Sequence, residues 1–240
     1  MGRAFEVRKQ AMAKTAAVKT KVYSKFGREI YVAAKGGIDP DANLELKRII
    51  EKAKKNQVPA DIIKRAIEKA KGGSDENYNE VRYEGFGPGN VLYIVECLTD
   101  NVNRTISEVR NCFTKTGGKL GVSGSVLHMF FHYCVFELKG ISEDEALEIL
   151  INEDVEVENI KVEEDILIIY GLVSNYHKIK EVLSNSNKIK EFLTDEIMWI
   201  AANEVNIYDK EIIEKNYKLI EMLNNLDDVK DVYHNLAFEE

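Results

Sequence analysis

Between Val7 and Arg28 the chain places seven basic residues, Arg8, Lys9, Lys14, Lys19, Lys21, Lys25 and Arg28, and no acidic one. Lysine and arginine at that density suit one chemistry above others, neutralising the phosphates of a polyanion. Arg3 lies just ahead of the run, and Arg48, Lys52 and Lys55 recur further on at i, i+4 and i+7, a spacing that lines one stripe of a helix. A solvated helix face explains any single run of this kind equally well. The distribution of charge along the chain adds to the first reading. The formal net charge is −8. Residues 1–72 hold 18 basic and 8 acidic residues, a net +10, whereas the remaining residues hold 15 and 33, a net −18. A basic module on an acidic body is the asymmetry expected of a chain with a polyanionic partner.

Other residues offer narrower chemistry. Gly85, Gly87 and Gly89, with Phe86 and Pro88 between them, and the later Gly118-Lys119 are turn-forming residues whose backbone N–H groups can cradle an anion. The spacing is neither the G-x-G-x-x-G of a dinucleotide site nor a P-loop, and tight turns account for most of these glycines unaided. Asn101, Asn103 and Arg104 open a helical pattern, where amide and guanidinium groups near a positive helix end suit phosphate or carboxylate. The alternative is N-capping by Asn101 with Arg104 paired to Glu108 at i+4. Ser123 and Ser125 lack the G-x-S-x-G elbow of a nucleophile. No catalytic residue is therefore assigned. His128, His132 and Cys134 invite a metal site, but positions 128 and 132 on a continuous strand stand about 13 Å apart, too far to share one ion. No metal and no cofactor is expected. Trp199 reads as core, while Tyr233-His234-Asn235 ends a strand with either a structural or a functional role.

The elements that must hold these residues follow from periodicity. A hydrophobic fraction of 45% and a charged fraction of 31% describe a soluble globular chain, and no apolar run approaches the roughly 18 residues of a membrane span. Three cysteines without a CxxC, and no apolar leader, predict reduced thiols and a cytoplasmic location. Helical spacing from Val22 to Ala33, from Leu46 to Ala53 after an Asp39-Pro40 start, and from Pro59 to Ala70 predicts a helical bundle. Gly72 to Asn79 reads as a linker. Beyond it, strand Val91–Leu98, helix Asn101–Thr116, a strand near Ser125–Phe131 and another at Tyr133–Leu138 are expected. Helix Glu143–Ile151, strands near Val155–Val162 and Ile166–Tyr170, helix Tyr176–Leu183 and a strand near Ile189–Leu193 follow. Strand Ile197–Ile207, helix Asp209–Leu226 and strand Val229–Tyr233 close the chain. The expected fold is α+β and multidomain: a basic helical domain with its linker at 1–79, an α/β plait at 80–132 plus 194–240, and a second plait inserted at 133–193.

Tyr83-Glu84-Gly85-Phe86-Gly87-Pro88-Gly89, Leu98-Thr99-Asp100-Asn101-Val102-Asn103-Arg104-Thr105 and Gly117-Gly118-Lys119-Leu120-Gly121-Val122-Ser123-Gly124-Ser125-Val126 resemble the YebC/PmpR family. Ala70-Lys71-Gly72-Gly73 and Val232-Tyr233-His234-Asn235 extend the resemblance over nearly the whole chain. It implies three domains, a helical one and two α/β ones with an insertion, and a transcriptional regulator that binds DNA. It also implies a link to translation, through a mitochondrial activator of cytochrome oxidase synthesis and bacterial members that relieve ribosome stalling at proline runs. One departure stands at the start: Gly2-Arg3-Ala4-Phe5 replaces the family's Gly-His-Ser-Lys-Trp, so that Phe5 takes the place of the tryptophan.

The expected function is thus a non-enzymatic, nucleic-acid-binding regulator, first a DNA-binding transcriptional regulator, with a ribosome-associated translation factor as the alternative and a cleft enzyme as a remote third. Its partners are DNA or ribosomal RNA, with the ribosome in the second reading and no membrane, and a monomer is favoured. The grip is assigned to the eleven basic residues named first, and a separate functional surface to the glycine loops with Asn101, Asn103, Arg104, Lys119, Ser123 and Ser125.

Overall fold

The computed structural model describes residues 16–73, 76–186 and 188–237. Arg3, Arg8, Lys9 and Lys14 lie outside them. Three helices come first, α1 (Ala16–Lys35), α2 (Leu44–Lys55) and α3 (Ala60–Lys71). Their apolar stripes meet in one core of Phe26, Ile30, Leu46, Ile50, Ala53 and Ile63 with neighbours, so that most of the charged residues between the stripes are left outside, Glu29 being buried. The cap of α2 is Asn43, whose side chain accepts from Leu46 N–H, rather than Asp39. Asp39-Pro40 instead forms the turn before it, with the Asp39 carbonyl accepting from Asn43 N–H.

The chain divides into two compact units, Met1–Leu127 with Glu204–Glu240, and His128–Asn203. The first contains the helices and a four-stranded sheet in the order β3-β1-β2-β8, formed by β1 (Asn79–Phe86), β2 (Leu92–Thr99), β3 (Lys119–Leu120) and β8 (Val229–His234). Helices α4 (Val102–Thr116) and α7 (Lys210–Asn224) bury Val109, Cys112, Phe113, Leu219 and Leu223 against Tyr93, Val95 and Cys97. The stretch Gly85-Phe86, expected to belong to a loop, ends strand β1. That strand pairs with β2 in register from Asn79↔Thr99 to Phe86↔Leu92. Val81 and Tyr83 pack on the core, and the charged Glu80, Arg82 and Glu84 alternate with them on the opposite face, so no continuous apolar run marks this strand in the sequence. The first sheet accordingly starts with a hairpin and not with a split βαβ crossover.

The second unit is the βαββαβ plait, β4 (Phe130–Lys139), α5 (Glu143–Asn152), β5 (Asn159–Glu163), β6 (Ile166–Leu172), α6 (Tyr176–Asn185) and β7 (Glu191–Ala201), with strand order β5-β6-β4-β7. Two expectations change here. The runs near Ser125–Phe131 and at Tyr133–Leu138 are not two strands: a short 3-10 turn, Leu127–Met129, leads into the single strand β4. Likewise Ile189–Leu193 and the start of Ile197–Ile207 form one strand, β7, in the second sheet and not the first. The reason is pairing length. A ten-residue β4 leaves a long open ladder unless one strand of equal length covers it, and β7 does so from Phe130↔Ala201 to Lys139↔Glu191 with one bulge. The unit between the two segments of the first is therefore longer than 133–193.

Candidate functional site

In the first unit, the helical module meets the acidic body along one stripe of α1. Lys21, Lys25 and Arg28 share that stripe at i, i+4 and i+7. Lys21 donates to the Asn225 carbonyl and pairs with Asp227, 3.6 Å away. Lys25 donates to the Lys230 carbonyl and faces Asp231 at 3.5 Å. Arg28 donates Nη1 to Asp228 Oδ1 at 2.9 Å and Nη2 to the Asp227 carbonyl. Three residues assigned to the nucleic-acid grip are thus turned onto the turn between α7 and β8 and its neighbouring strand. Sequence spacing could not show this, because their partners lie some two hundred positions away.

Asp228 is the hub of this seam. Only 4% of it is exposed. Its Oδ2 accepts from Arg104 Nη2 at 2.6 Å, Thr105 Oγ1 at 2.8 Å and Thr99 Oγ1 at 2.9 Å, while Oδ1 takes Arg28. Burial acts to raise its pKa, but the hydrogen bonds from Arg104, Thr105 and Thr99 outweigh that and hold the carboxyl below its ordinary value. Arg104 also donates to Asp100 at 2.7 Å. The pairing of Arg104 with Glu108, one of the two readings of this turn, gives way to these two acids, because Asp228 supplies a desolvated acceptor that a surface glutamate does not. Asn101 caps α4, its side chain accepting from Arg104 N–H at 3.0 Å. The positive end of α4 therefore has anions from its own chain, Asp100 and Asp228, where an external phosphate was considered. Asn103 is exposed on the same turn.

The glycine loops are consumed in a similar way. A Cβ at Gly85 would stand 2.6 Å from the Phe113 ring, and one at Gly87 2.5 Å from the Tyr93 ring, so both positions let helix and sheet approach closely. Pro88 and Gly89 lie in a 3-10 turn fastened by Asn216, which donates to the Pro88 carbonyl at 3.0 Å and accepts from the Tyr93 hydroxyl at 2.8 Å. Gly118 donates to the Phe113 carbonyl at 2.8 Å. The anion held by the backbone of the next loop is again internal: Glu84 accepts from the N–H groups of Gly124, Val126 and Leu127 at 2.6, 2.7 and 2.9 Å. Burial would raise Glu84, yet those three bonds hold it below the usual range. Ser123 is exposed at the tip of this loop, Ser125 is half-buried, and the Lys119 ammonium lies 5.3 Å over the Phe86 ring.

Gly87 and Arg104 do not converge. They lie at opposite ends of the β1–β2 ladder, about seven residue rises or roughly 23 Å apart along the strands, so the proposed single surface of Gly87, Asn103, Arg104 and Ser123 is not assembled. Of the Tyr233-His234-Asn235 strand end, Tyr233 is buried and Asn235 joins strands by accepting from Leu92 N–H at 2.7 Å. In the second unit His132 stacks on Trp199 at 4.2 Å, which leaves Trp199 half-buried at a strand end rather than in the core. Among the described residues, no group of three or more His, Cys, Asp or Glu is placed to hold a metal, and no helix is long and apolar enough to cross a membrane.

The helical module also carries exposed cations. Lys19 on α1, Lys54 and Lys55 on α2, and Lys64 and Lys71 on α3 are exposed. Lys52 is half-buried, and Arg48 is turned to Glu45 through two hydrogen bonds of 2.9 and 2.6 Å. The residues that the linear reading missed are Asp227, Asp228 and Asp231. A cluster of acids after a helix was a legible signal, but its complement on α1 was not.

A basic helical module docked on an antiparallel sheet within one unit, with a second antiparallel α+β unit inserted in the chain, is the class of protein that fold and seam define. Residues 3–73 match the family described as "TACO1/YebC protein N-terminal domain", and residues 78–236 match "TACO1/YebC second and third domain". A protein of Acholeplasma laidlawii named "Probable transcriptional regulatory protein" is 59% identical over 237 residues, covering 98% of each chain. A protein of Alteromonas mediterranea, also named a "Probable transcriptional regulatory protein", is 53% identical over 236 residues, again 98% of each. The crystal structure of a conserved hypothetical protein from Aquifex aeolicus is similar with a TM-score of 0.80 at 39% identity, covering 95% of this chain and 94% of that one. This chain belongs to the TACO1/YebC family.

Proposed function

We propose that this protein is a nucleic-acid-binding regulator of gene expression, in which the helical module grips phosphates and the acidic body sets its position. The observation that carries the reading is the net +10 of residues 1–72 against the net −18 of the rest, with Lys19, Lys54, Lys55, Lys64 and Lys71 on the outside of the module. The names of the relatives from Acholeplasma laidlawii and Alteromonas mediterranea support regulation of transcription, which makes duplex DNA the first expected partner. A second reading, a factor acting on ribosomal RNA during translation, is favoured by the chemistry of the exposed side chains. The five named above are lysines, which neutralise phosphate without reading base edges, while the exposed Arg65 is paired with Asp61, and this suits a structured RNA as well as a duplex.

The test is binding of the full chain to duplex DNA and to a ribosomal RNA fragment across a salt series. Replacing Lys19, Lys54, Lys55 and Lys64 with Gln is expected to flatten the log–log salt slope on duplex by about 3.6, at 0.9 per lost phosphate contact. An unchanged slope overturns the assignment of the grip. Crosslinking in cells then separates the two readings, promoter enrichment supporting DNA and ribosomal RNA enrichment supporting translation.

A further inference from the structure

The α1 seam differs from an ordinary packed interface in what closes it. The apolar core of the helices and the apolar core under the first sheet are separate clusters. Between the module and the body lies a cleft of about 1080 Å³, with Tyr23, Lys21, Arg28, Arg104 and Asp227 among its lining residues. A junction closed by ion pairs, with no apolar core shared across it, permits relative motion of the parts that it joins. Its ion pairs are graded in depth. Lys21 and Asp227 are 40% and 77% exposed and hold little, whereas Arg28 and Asp228 are 16% and 4% exposed. Glu29 and Lys230 line the small gap beside them, so the seam also contains one acid from α1 and one cation from the body.

What the body offers α1 is a row of anionic and carbonyl oxygens matched to a helical stripe of cations. A phosphate backbone offers the same donors the same chemistry, since both carboxylate and phosphate accept charge-assisted hydrogen bonds from lysine and arginine. We propose that the stripe of Lys21, Lys25 and Arg28 is a second phosphate-binding surface, held occupied in the docked state by Asp227, Asp228 and Asp231, and exchanged onto nucleic acid when the module undocks. The inference rests on the reading of the partner as nucleic acid. Two consequences follow. Apparent affinity is lowered by the fraction of molecules that stay docked. The stripe also adds little to the salt dependence of the wild type, because each phosphate gained is offset by a carboxylate that takes up a counterion again.

The experiment is a cycle of variants in the full chain. D227N/D231N removes the carboxylates that face Lys21 and Lys25 and leaves them only the Asn225 and Lys230 carbonyls, with the Asp228 hub intact, and D227N alone, at an exposed position, serves if the pair impairs folding. The probes are a short DNA duplex and an RNA hairpin. D227N/D231N is expected to bind more tightly and to steepen the duplex salt slope by about 1.8, from two added contacts, and D227N by about 0.9. In a K21Q/K25Q background the same substitutions are expected to change neither quantity. Equal tightening in both backgrounds would show only that two negative charges had been removed from the body, and it would overturn the proposal, as would no change in either. A dye pair at E68C and K218C, both exposed positions on α3 and α7, reads the seam without nucleic acid. The distance is expected to lengthen as salt rises, and to lengthen at lower salt in D227N/D231N. If neither probe binds any form of the protein, the proposed function fails; if the dye distance is constant while binding is intact, only the latch fails.

Discussion

Asp228→Asn isolates the hub on which module and body meet. An asparagine retains one carbonyl oxygen for the donors Arg104, Thr105 and Thr99, but its amide then opposes the Nη1–H of Arg28 that Asp228 Oδ1 accepts at 2.9 Å. Removing one partner of a buried ion pair costs about 3–5 kcal/mol. The Arg104 side chain is 43% exposed, so its share is screened by solvent, and the lower end applies, about 3 kcal/mol. For a chain of this size that lowers the melting temperature of the first unit by roughly 6–12 °C. The sign of the pH dependence is set by the depressed pKa of Asp228. The stabilisation is fully present above the unfolded value of about 3.9 and is lost as pH falls through the lower folded value. The gap between wild type and variant is therefore expected to be widest at neutral pH and to close in acid. Hydrogen exchange of peptides from α1 and β8 reads the seam, while fluorescence of the one tryptophan, Trp199, reads the second unit. Exchange in α1 that matches wild type at pH 7, or a gap that persists unchanged to about pH 2.5, would refute the role of Asp228 as an ionised hub.

Glu84→Gln replaces a carboxylate that accepts three backbone N–H groups, and amide exchange at Gly124, Val126 and Leu127 is expected to quicken roughly 5- to 100-fold at neutral pH. Because Glu84 is also held below its usual range, that difference should fade as acid protonates the wild-type side chain. Gly85→Ala sets a methyl group against the Phe113 ring and is expected to destabilise the first unit by about 1–3 kcal/mol in urea titrations. Burial pushes the thiol of Cys97 up to about 12 and that of Cys134 up to about 11. Both should resist a thiol reagent at pH 8 in the native state and react in denaturant; rapid native labelling would contradict their burial. Limited proteolysis is expected to spare Glu76–Tyr78, since Tyr31 and Lys35 donate to the Glu76 carbonyl at 3.0 and 2.6 Å and Lys69 to its carboxylate at 2.6 Å; early cuts there would show that these tethers do not hold.

Local physics made much of this protein legible in one dimension. The helical stripes around Phe26, Ile50 and Ile63, the Asn101 cap and the βαββαβ order of the second unit each depend on residues within a few positions of one another, and periodicity records such relations directly. The charge division between residues 1–72 and the rest is a property of composition and needs no fold. What only the tertiary structure decided is where each charge is spent. The same lysines and arginine that read as a phosphate grip, Lys21, Lys25 and Arg28, face acids about two hundred residues distant. The family motif around Arg104 turns inward on Asp228, and the backbone nest after Gly121 closes on Glu84. The membership of β7 was likewise settled by the length of ladder that β4 required. A polar side chain carries its donors and acceptors in its type, but whether water, a ligand or the protein's own carboxylate satisfies them depends on which distant segment the fold brings within about 3 Å.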